Sequence, residues 1–269
     1  MTGDLAGQVA VVTGAGRGFG RAIAERLARE GASVAITARS RDELNEVASS
    51  IAASGGKAIA VPGDVTRRED VARVKAETES KLGDVSILVH NAGVPWPFGP
   101  TWEVDPDTWW EAQQVHVKAA MYFISAFVPG MVERWNGRVV VVASTAGTAP
   151  RPNLSGYAVA KATQIRLMEH LALEGKEHGV YAWSIQPGSV FTGISVLTMA
   201  DPAAQKYLPD FVNRLKNQRE SDDPTIGLNR CAEMVSDLAS GRCDILSGRY
   251  LTPQDDFAAL VQEAKAKAV

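Results

Sequence analysis

Two side chains able to exchange protons lie one helical turn apart in the stretch SGYAVAK, residues 155–161. Tyr157 and Lys161 are four residues apart, so a helix would place them on the same face. A free tyrosine has a pKa of about 10, which is high for proton exchange near neutral pH, and a lysine cation within several ångströms lowers it. The pair is therefore a candidate acid/base with its tuner. By spacing alone, an aromatic–alkyl contact on an exposed helix face would be the better interpretation.

A glycine-rich loop, TGAGRGFG from Thr13 to Gly20, follows the first apolar run and precedes the first helical pattern. Glycines let the backbone approach a ligand closely, and the N-terminus of a helix offers free N–H groups to a pyrophosphate. A tight strand-to-helix turn is the alternative interpretation. The strand before the loop and the helix after it are the context that dinucleotide binding requires, and they favour that function.

Short apolar, β-branched runs alternate with segments of helical periodicity about six times along the chain. Apolar residues occupy adjacent positions in most runs, which is typical of strands buried on both faces of a parallel sheet. The pattern predicts one α/β domain over residues 1–269, a Rossmann-type doubly wound sheet of about seven parallel strands with helices on both faces. The runs lie at 8–14, 33–39, 57–65, 86–93, 138–144 and 180–188.

Residues 189–223 break this rhythm, since they contain no strand pattern and follow directly on a strand end. Segments of this kind often cover a site, so we expect a lid here, with a plain surface excursion as the alternative. The last part of the chain, from Gly248, predicts a short strand, a turn and a helix that frays at its end.

The bulk composition limits the class of partner. A net charge of −3 gives no reason to expect nucleic acid or an anionic membrane. Cys231 and Cys243 fit neither a disulfide framework nor a metal site, and no metal is expected. The N-terminus lacks the pattern of a signal peptide, and no apolar stretch approaches the eighteen or so residues that span a membrane. We therefore expect a cytoplasmic protein that acts on a small molecule.

Further motifs follow the glycine loop in order. Asp64-Val65 follows the third apolar run, Asn91-Ala92-Gly93 the fourth, Ser144 the fifth and Pro187-Gly188 the sixth, and Tyr157 lies thirteen residues after Ser144 (157 − 144). With the glycine spacing TGxxxGxG, this series resembles the short-chain dehydrogenase/reductase family over nearly the whole chain.

The resemblance implies a nicotinamide cofactor with its adenine ring near Asp64, its adenine ribose beside Asn91 and its nicotinamide amide at Thr192. The cofactor-binding residues that it implies are Gly14, Gly16, Arg17, Gly18, Phe19, Gly20, Arg39, Asp64, Val65, Asn91, Ala92, Gly93, Tyr157, Lys161, Pro187, Gly188, Val190 and Thr192.

The reaction implied is the interconversion of a secondary alcohol and a ketone by hydride transfer. In it Tyr157 gives a proton to the carbonyl oxygen or takes it back, Ser144 donates a hydrogen bond to the same oxygen, and Lys161 also binds the nicotinamide ribose. Two alternatives stay open. A catalytically weak regulatory protein of the same fold is disfavoured by the intact Ser144, Tyr157 and Lys161, and an isomerase-type relative by the glycine spacing and the chain length.

His116 departs from the family pattern, which has an asparagine seven residues after a tryptophan, here Trp109. The family's asparagine acts indirectly, because it shapes the helix so that a carbonyl holds a water next to the lysine. A histidine as fourth catalytic residue could keep that backbone, add a nitrogen to the water chain or mark a weaker proton relay. If the imidazole belongs to the relay, the pH–rate profile should have a limb near its pKa.

The cofactor preference follows from the end of the second strand. NAD-preferring relatives have an aspartate at the position of Ala38, whereas Arg39 and Arg17 here suit the additional phosphate of NADP(H). The prediction is NADP(H), with NAD(H) as the alternative.

The segment after Gly93 is rich in large apolar residues and borders the substrate in the family. It predicts a hydrophobic, cyclic or aromatic ketone or alcohol, while packing of the tryptophans beneath the lid is an equal alternative. The resemblance also implies a homotetramer or homodimer that forms through helices 106–134 and 155–178 and the last strand. The substrate residues expected are Val94, Trp96, Phe98, Thr148, Pro150 and Leu154.

Overall fold

A single parallel sheet of seven strands organises the protein, whose computed structural model describes residues 3–221 and 223–267. The strands lie in the order β3-β2-β1-β4-β5-β6-β7, and every neighbouring pair is parallel. This confirms the predicted doubly wound, Rossmann-type sheet. The strands are β1 Val9–Thr13, β2 Ser33–Thr37, β3 Lys57–Ala60, β4 Ile87–His90, β5 Gly137–Val142, β6 Val180–Ile185 and β7 Tyr250–Leu251.

Helices connect the strands and cover both faces of the sheet. The first six are α1 Gly18–Arg29, α2 Arg41–Ala53, α3 Arg68–Leu82, α4 Pro106–Gln113, α5 Ala119–Glu133 and α6 Ser155–Gly175. The last five are α7 Gly193–Ala200, α8 Pro202–Tyr207, α9 Pro209–Ser221, α10 Pro224–Ala239 and α11 Phe257–Lys267.

Two hydrophobic cores lie on opposite faces of the sheet because successive strand residues point to opposite sides. In β1, Ala10 and Val12 pack with α1, α2 and α10, whereas Val9 and Val11 pack with α3, α5 and α6. Trp183 of β6 is fully buried in the first core. Burial on both faces explains why the strands read as continuous apolar runs.

The strand order reverses between β1 and β4, which are neighbours in the sheet. In open α/β sheets a ligand binds in the crevice outside the carboxyl ends of the strands at such a reversal. The loop after β1 is the glycine-rich loop, and the loop after β4 begins with Asn91. The topology therefore brings two sequence motifs that are 77 residues apart into contact, as the hydrogen bond between Asn91 and Gly14 shows.

Two predicted segments differ in detail. The apolar run at 57–65 is a strand only over Lys57–Ala60, because Pro62 has no N–H for a ladder. The lid segment, 189–223, has no strand in its described residues, as expected, but it is helical in α7, α8 and α9.

One described helix, Pro106–Glu133, is long and apolar enough to cross a membrane by length and composition, with a mean hydropathy of 1.4 in its most apolar window. The expectation that no segment has these properties is wrong for this helix. It comprises α4, a π-helical turn at Gln114–Lys118 and α5. Its inner side contributes Phe123 and Phe127 to the second core, while Trp110 and Met121 of its outer side are exposed.

Candidate functional site

The glycine-rich loop forms a cradle between β1 and α1. Gly14 and Gly18 have positive φ angles of 63° and 55°, which glycine adopts without strain. A Cβ at Gly20 would lie 2.3 Å from the Gly14 carbonyl oxygen, so that α1 can begin this close to the loop only with glycine. Arg17 precedes α1 and provides no side-chain cap, which leaves the first N–H groups of the helix free for an anion.

Asn91 holds this cradle to the neighbouring strand. Its side-chain amide donates to the carbonyl oxygens of Thr13, at 3.0 Å, and Gly14, at 3.1 Å. The Thr13 hydroxyl in turn accepts from the backbone N–H groups of Asn91 and Ala92, both at 3.0 Å. The amide of Asn91 is thus engaged in positioning the loop.

A cavity of about 690 Å³ opens at the carboxyl edge of the sheet and is large enough for a dinucleotide. Twelve of the predicted cofactor residues line it, whereas Gly20, Tyr157, Lys161, Pro187, Gly188 and Val190 are not among its lining residues. The predicted residues in its lining are Gly14, Gly16, Arg17, Gly18, Phe19, Arg39, Asp64, Val65, Asn91, Ala92, Gly93 and Thr192.

A carboxylate that the sequence analysis did not identify lies at one end of the cavity. Glu43 of α2 lines the cavity beside Ala38 and Arg39, and its Oε1 is 3.4 Å from Nη1 of Arg17. The sequence feature that indicates this position is Ser40, an N-cap residue. Its side chain accepts from the Glu43 backbone N–H, so that α2 begins with Glu43 in its first turn. An acid here opposes the positive charge that Arg17 and Arg39 bring.

Tyr157 and Lys161 lie on one face of α6, as their spacing predicts, with the Lys161 Nζ 5.4 Å from the centre of the Tyr157 ring. The predicted lowering of the Tyr157 pKa is not found. Burial raises the pKa of Tyr157, and a hydrogen bond with the Ser144 hydroxyl acts in the opposite direction. Burial also lowers the pKa of Lys161 to about 7, which weakens the cationic influence expected of it.

The Lys161 ammonium is held by two oxygen atoms inside the protein. Nζ donates to the Val142 carbonyl at 2.7 Å and to Oε1 of Gln164 at 3.0 Å. The Gln164 amide then donates to the His116 carbonyl oxygen at 2.7 Å. Gln164 is fully buried, and the sequence analysis did not identify it, because a single glutamine three residues after a lysine carries no pattern of its own.

His116 is fully buried in the π-helical turn between α4 and α5. Its Nε2 lies 2.8 Å from the Val94 carbonyl oxygen and 3.2 Å from the Val94 backbone nitrogen, while its Nδ1 has no described partner. Burial, with the Lys161 charge second, lowers the pKa of His116 well below its usual value. The pH–rate profile is therefore not expected to have a limb near the ordinary histidine pKa, because the His116 imidazole stays neutral at that pH.

The ring of His116 connects the cavity to the Tyr157 cluster. A Cβ at Gly93 would lie 2.6 Å from its Cε1, so glycine at 93 is what leaves room for an imidazole. Gly93 lines the cavity, whereas Ser144 and Tyr157 do not. The imidazole thus lies between the cavity-lining Gly93 and the ring of Tyr157.

The six expected substrate residues do not form one surface. Val94 and Trp96 line the cavity. Phe98 packs with Ala204 of α8 and Val212 of α9, and Trp96 and Leu154 border the same cluster, which is the packing alternative. Thr148 and Pro150 are exposed and lie outside the described cavity lining, because the chain after the 3-10 turn at Thr145–Gly147 turns to the surface.

Part of the cavity lining is more polar than the sequence suggested. Glu111 and Gln114 line the cavity beside Val94 and Trp96. Both polar residues come from the helix that carries His116, and their approach to the β4 loop depends on how that helix packs. The described residues contain no group of three or more His, Cys, Asp or Glu side chains that could hold a metal ion.

Comparison with known proteins adds sequence and structural relatives. The family model described as short chain dehydrogenase matches residues 8–202. A short chain dehydrogenase of Pseudocercospora fijiensis is 33% identical over 267 residues, which cover 98% of this chain and 85% of that protein. A metagenomic short-chain oxidoreductase solved in complex with NADP is 31% identical, with a TM-score of 0.71 and coverage of 88% of this chain and 92% of that one. A variant of actinorhodin polyketide ketoreductase solved with NADPH is 25% identical, with a TM-score of 0.80 and coverage of 94% and 97%.

Proposed function

The chain belongs to the short-chain dehydrogenase/reductase family, whose members are oxidoreductases that bind nicotinamide cofactors, and from this premise we propose that it reduces a ketone to a secondary alcohol, or runs the reverse reaction, with Tyr157 as acid/base. The observation that carries the proposal is the cluster of Tyr157, the Ser144 hydroxyl and the Lys161 ammonium beside the cavity of the glycine loop. Hydroxyl, phenol and ammonium together can receive a carbonyl oxygen as negative charge develops on it.

The residues present fit a dinucleotide. The free N–H groups at the start of α1 and the close approach allowed by Gly14 and Gly18 suit a pyrophosphate. The crevice at the β1–β4 reversal has the size and place for the two nucleoside halves. When bound, the nicotinamide supplies the hydride that converts the carbonyl carbon into a C–H carbon.

Tyr157 transfers its phenolic proton to the oxygen of the ketone, so that the product carries a hydroxyl group at this position. The raised pKa of Tyr157 keeps the phenol protonated, which suits it to donate in the direction of reduction. Ser144 donates a hydrogen bond to the same oxygen and stabilises its developing charge. The Lys161 ammonium has one N–H left after its two protein contacts, and this N–H is available to the nicotinamide ribose.

NADP(H) is the preferred cofactor in this proposal. Arg17 and Arg39 line the cavity at the end where Ala38 stands in place of an acid, and both guanidinium groups can pair with the 2′-phosphate. The NADP and NADPH of two related structures support the same choice. Glu43 lowers the preference, because its carboxylate holds Arg17 in the absence of a phosphate partner.

The substrate proposed is a hydrophobic ketone that carries a hydrogen-bonding group. Val94 and Trp96 provide an apolar wall, and Glu111 and Gln114 provide polar groups beside it. The lid segment would close over this region, since Phe98 already packs with residues of α8 and α9. These contacts favour a cyclic or aromatic ring with a polar substituent over a simple aliphatic ketone.

A homodimer or homotetramer is proposed from the outer faces of α4, α5 and α6. Four large apolar side chains there are exposed, and a surface of this kind is typical of subunit contacts. They are Trp110, Met121, Val159 and Leu173.

The test is absorbance-monitored turnover of NADPH and NADH with a panel of cyclic and aromatic ketones, in wild type and in Tyr157→Phe. We expect turnover with NADPH that falls by about 10³-fold or more in the variant, since it loses the acid/base while its ring remains. Tight NADPH binding without turnover of any ketone or alcohol would contradict the proposal and favour a regulatory cofactor-binding protein. Equal turnover in wild type and Tyr157→Phe would reject Tyr157 as the acid/base.

A further inference from the structure

Gln164 occupies a position on α6 where a polar side chain needs a specific partner. It is fully buried, and an unpaired amide at such a position destabilises the fold. Both ends of its amide are paired, the oxygen with the Lys161 ammonium at 3.0 Å and the nitrogen with the His116 carbonyl at 2.7 Å. A buried amide with both ends bonded in this way connects two parts of the fold.

The two parts that it connects are the helix with Tyr157 and the π-helical turn with His116. An ammonium group has three N–H donors, and Gln164 and Val142 use two of them. The carbonyl of His116 lies in the π-helical turn and accepts from the Gln164 amide at 2.7 Å. Loss of either contact would leave one end of the buried Gln164 amide unpaired.

We propose that Gln164 is a positioning residue for Lys161, a side-chain bridge from the lysine ammonium to the His116 carbonyl that sets where the ammonium stands and how readily it keeps its proton. The family resemblance predicts a water between the lysine and this carbonyl, and here the chain supplies a side chain of its own for that link. An amide donates at one end and accepts at the other and does not exchange its protons readily as water does. The bridge therefore fixes geometry and does not relay protons.

The ionisation of Lys161 is the property that this bridge controls. The titratable groups that face the ammonium are Tyr157 of the same helix, His116 of the π-helical turn and His90 of β4. The two histidines are buried and stay neutral near neutral pH, because burial lowers the pKa of each, that of His90 to about 3. No described carboxylate is hydrogen-bonded to the ammonium, so the acceptor oxygens of Gln164 and Val142 stabilise its charge.

The test measures the Lys161 pKa directly in the full chain, by NMR titration of protein labelled with ¹³C at the lysine Cε. The Lys161 signal is identified by its loss in Lys161→Met. Gln164→Met keeps the length of the side chain but removes the acceptor, and Gln164→Glu replaces the amide by a carboxylate. Gln113→Met is the matched control, since Gln113 is also buried and donates to a backbone carbonyl of α6, that of Gly156, but does not contact the lysine.

We expect the two Gln164 variants to move the Lys161 pKa in opposite directions. Gln164→Met should lower it by about one unit, and Gln164→Glu should raise it by about one unit or more, since a lost acceptor disfavours the ammonium and a nearby anion favours it. Gln113→Met should leave it in place. A purely structural role would lower the melting temperature in all three variants and would not produce opposite pKa shifts.

The proposal is overturned if Gln164→Met and Gln164→Glu leave the Lys161 pKa where Gln113→Met leaves it, or if both move it the same way. Should Gln164→Met not fold, Gln164→Asn replaces Gln164→Met. Its shorter amide cannot span both partners, so we again expect a lower Lys161 pKa, and Gln164→Glu is measured as before.

The catalytic meaning of the bridge rests on the proposed function, but the titration does not. The pH profile of NADPH turnover with a ketone should follow the pKa of each variant. If the opposite pKa shifts occur and no carbonyl compound is turned over by wild type, the proposed function fails and the role of Gln164 stands. If turnover occurs and the shifts are absent, the reverse holds.

Discussion

His116 meets Tyr157 edge to face, with ring centroids 5.5 Å apart and ring planes at 84°. The same imidazole is hydrogen-bonded to the backbone of Val94 through Nε2, and the backbone carbonyl of His116 accepts a hydrogen bond from Gln164. One residue thus touches the candidate acid/base, the loop after β4 and the bridge to Lys161. Because its ring is buried and neutral, His116 acts through packing and hydrogen bonds, and we expect no protonated imidazole at neutral pH.

Acid should destabilise the protein partly through His116. The unfolded chain binds a proton at this histidine below a pH of about 6.5, whereas the folded chain does not. The free energy of unfolding therefore includes a contribution from the neutral His116 above this pH, and this contribution is lost as the pH falls. The loss is about 1.4 kcal/mol per pH unit for one proton. Urea unfolding of wild type and His116→Asn at pH 7.5 and 5.0 should show a smaller acid loss in the variant.

The control for this experiment is His170→Asn, a change of an exposed histidine on α6. It should keep the acid loss of wild type. Equal acid losses in wild type and His116→Asn would mean that His116 is protonated in the folded protein, against the burial that the structure shows.

Glu43→Gln should tighten NADPH binding while leaving NADH binding nearly unchanged. The change frees Arg17 from its carboxylate partner and removes a negative charge from the end of the cavity where the 2′-phosphate is expected. Since the pair is largely exposed, the gain should be about two- to fivefold in Kd. Fluorescence titration with each cofactor measures it, with Glu46→Gln on the exposed side of α2 as control. An equal gain for NADH would show that Glu43 does not discriminate at the 2′ position.

Gly20→Ala should weaken binding of both cofactors by about tenfold or more, because the new Cβ meets the Gly14 backbone and forces the cradle open. Calorimetry with NADPH and NADH checks the loss. Gly130→Ala on α5 is the matched change, since its Cβ would meet only the movable end of Arg134 and alanine favours a helix. Retained affinity in Gly20→Ala would argue that the dinucleotide does not lie on this loop.

Leu173→Glu should reduce the oligomer to smaller units. Leu173 is 78% exposed on α6 in the single chain, and a charge there would be buried without a partner in a subunit interface. Light scattering after size exclusion gives the mass of wild type and variant, with Ile226→Glu on α10 as a control at another exposed apolar residue. A monomeric wild type would reject the proposed assembly through α4, α5 and α6.

Much of the candidate site could be predicted from the sequence, because its residues are positioned by helix spacing and by loops between adjacent elements. The i, i+4 spacing of Tyr157 and Lys161 holds in any helix, and the glycine loop needs only the strand before it and the helix after it. The order of the motifs along the chain also predicts the parallel sheet, since each motif follows a buried strand. These features depend on neighbours in sequence, and the structure places them as expected.

The remaining features depend on which distant elements pack together, and only the tertiary structure decided them. Gln164 bridges Lys161 and His116 because α6 lies against the π-helical turn. The local sequence of neither segment predicts that the two pack together. Phe98 packs against α8 and α9, whereas Val94 lines the cavity, although both lie in one short loop. Even the Tyr157 pKa was predicted in the wrong direction, since spacing reveals a neighbouring charge but burial, which raises this pKa, is a property of the whole fold.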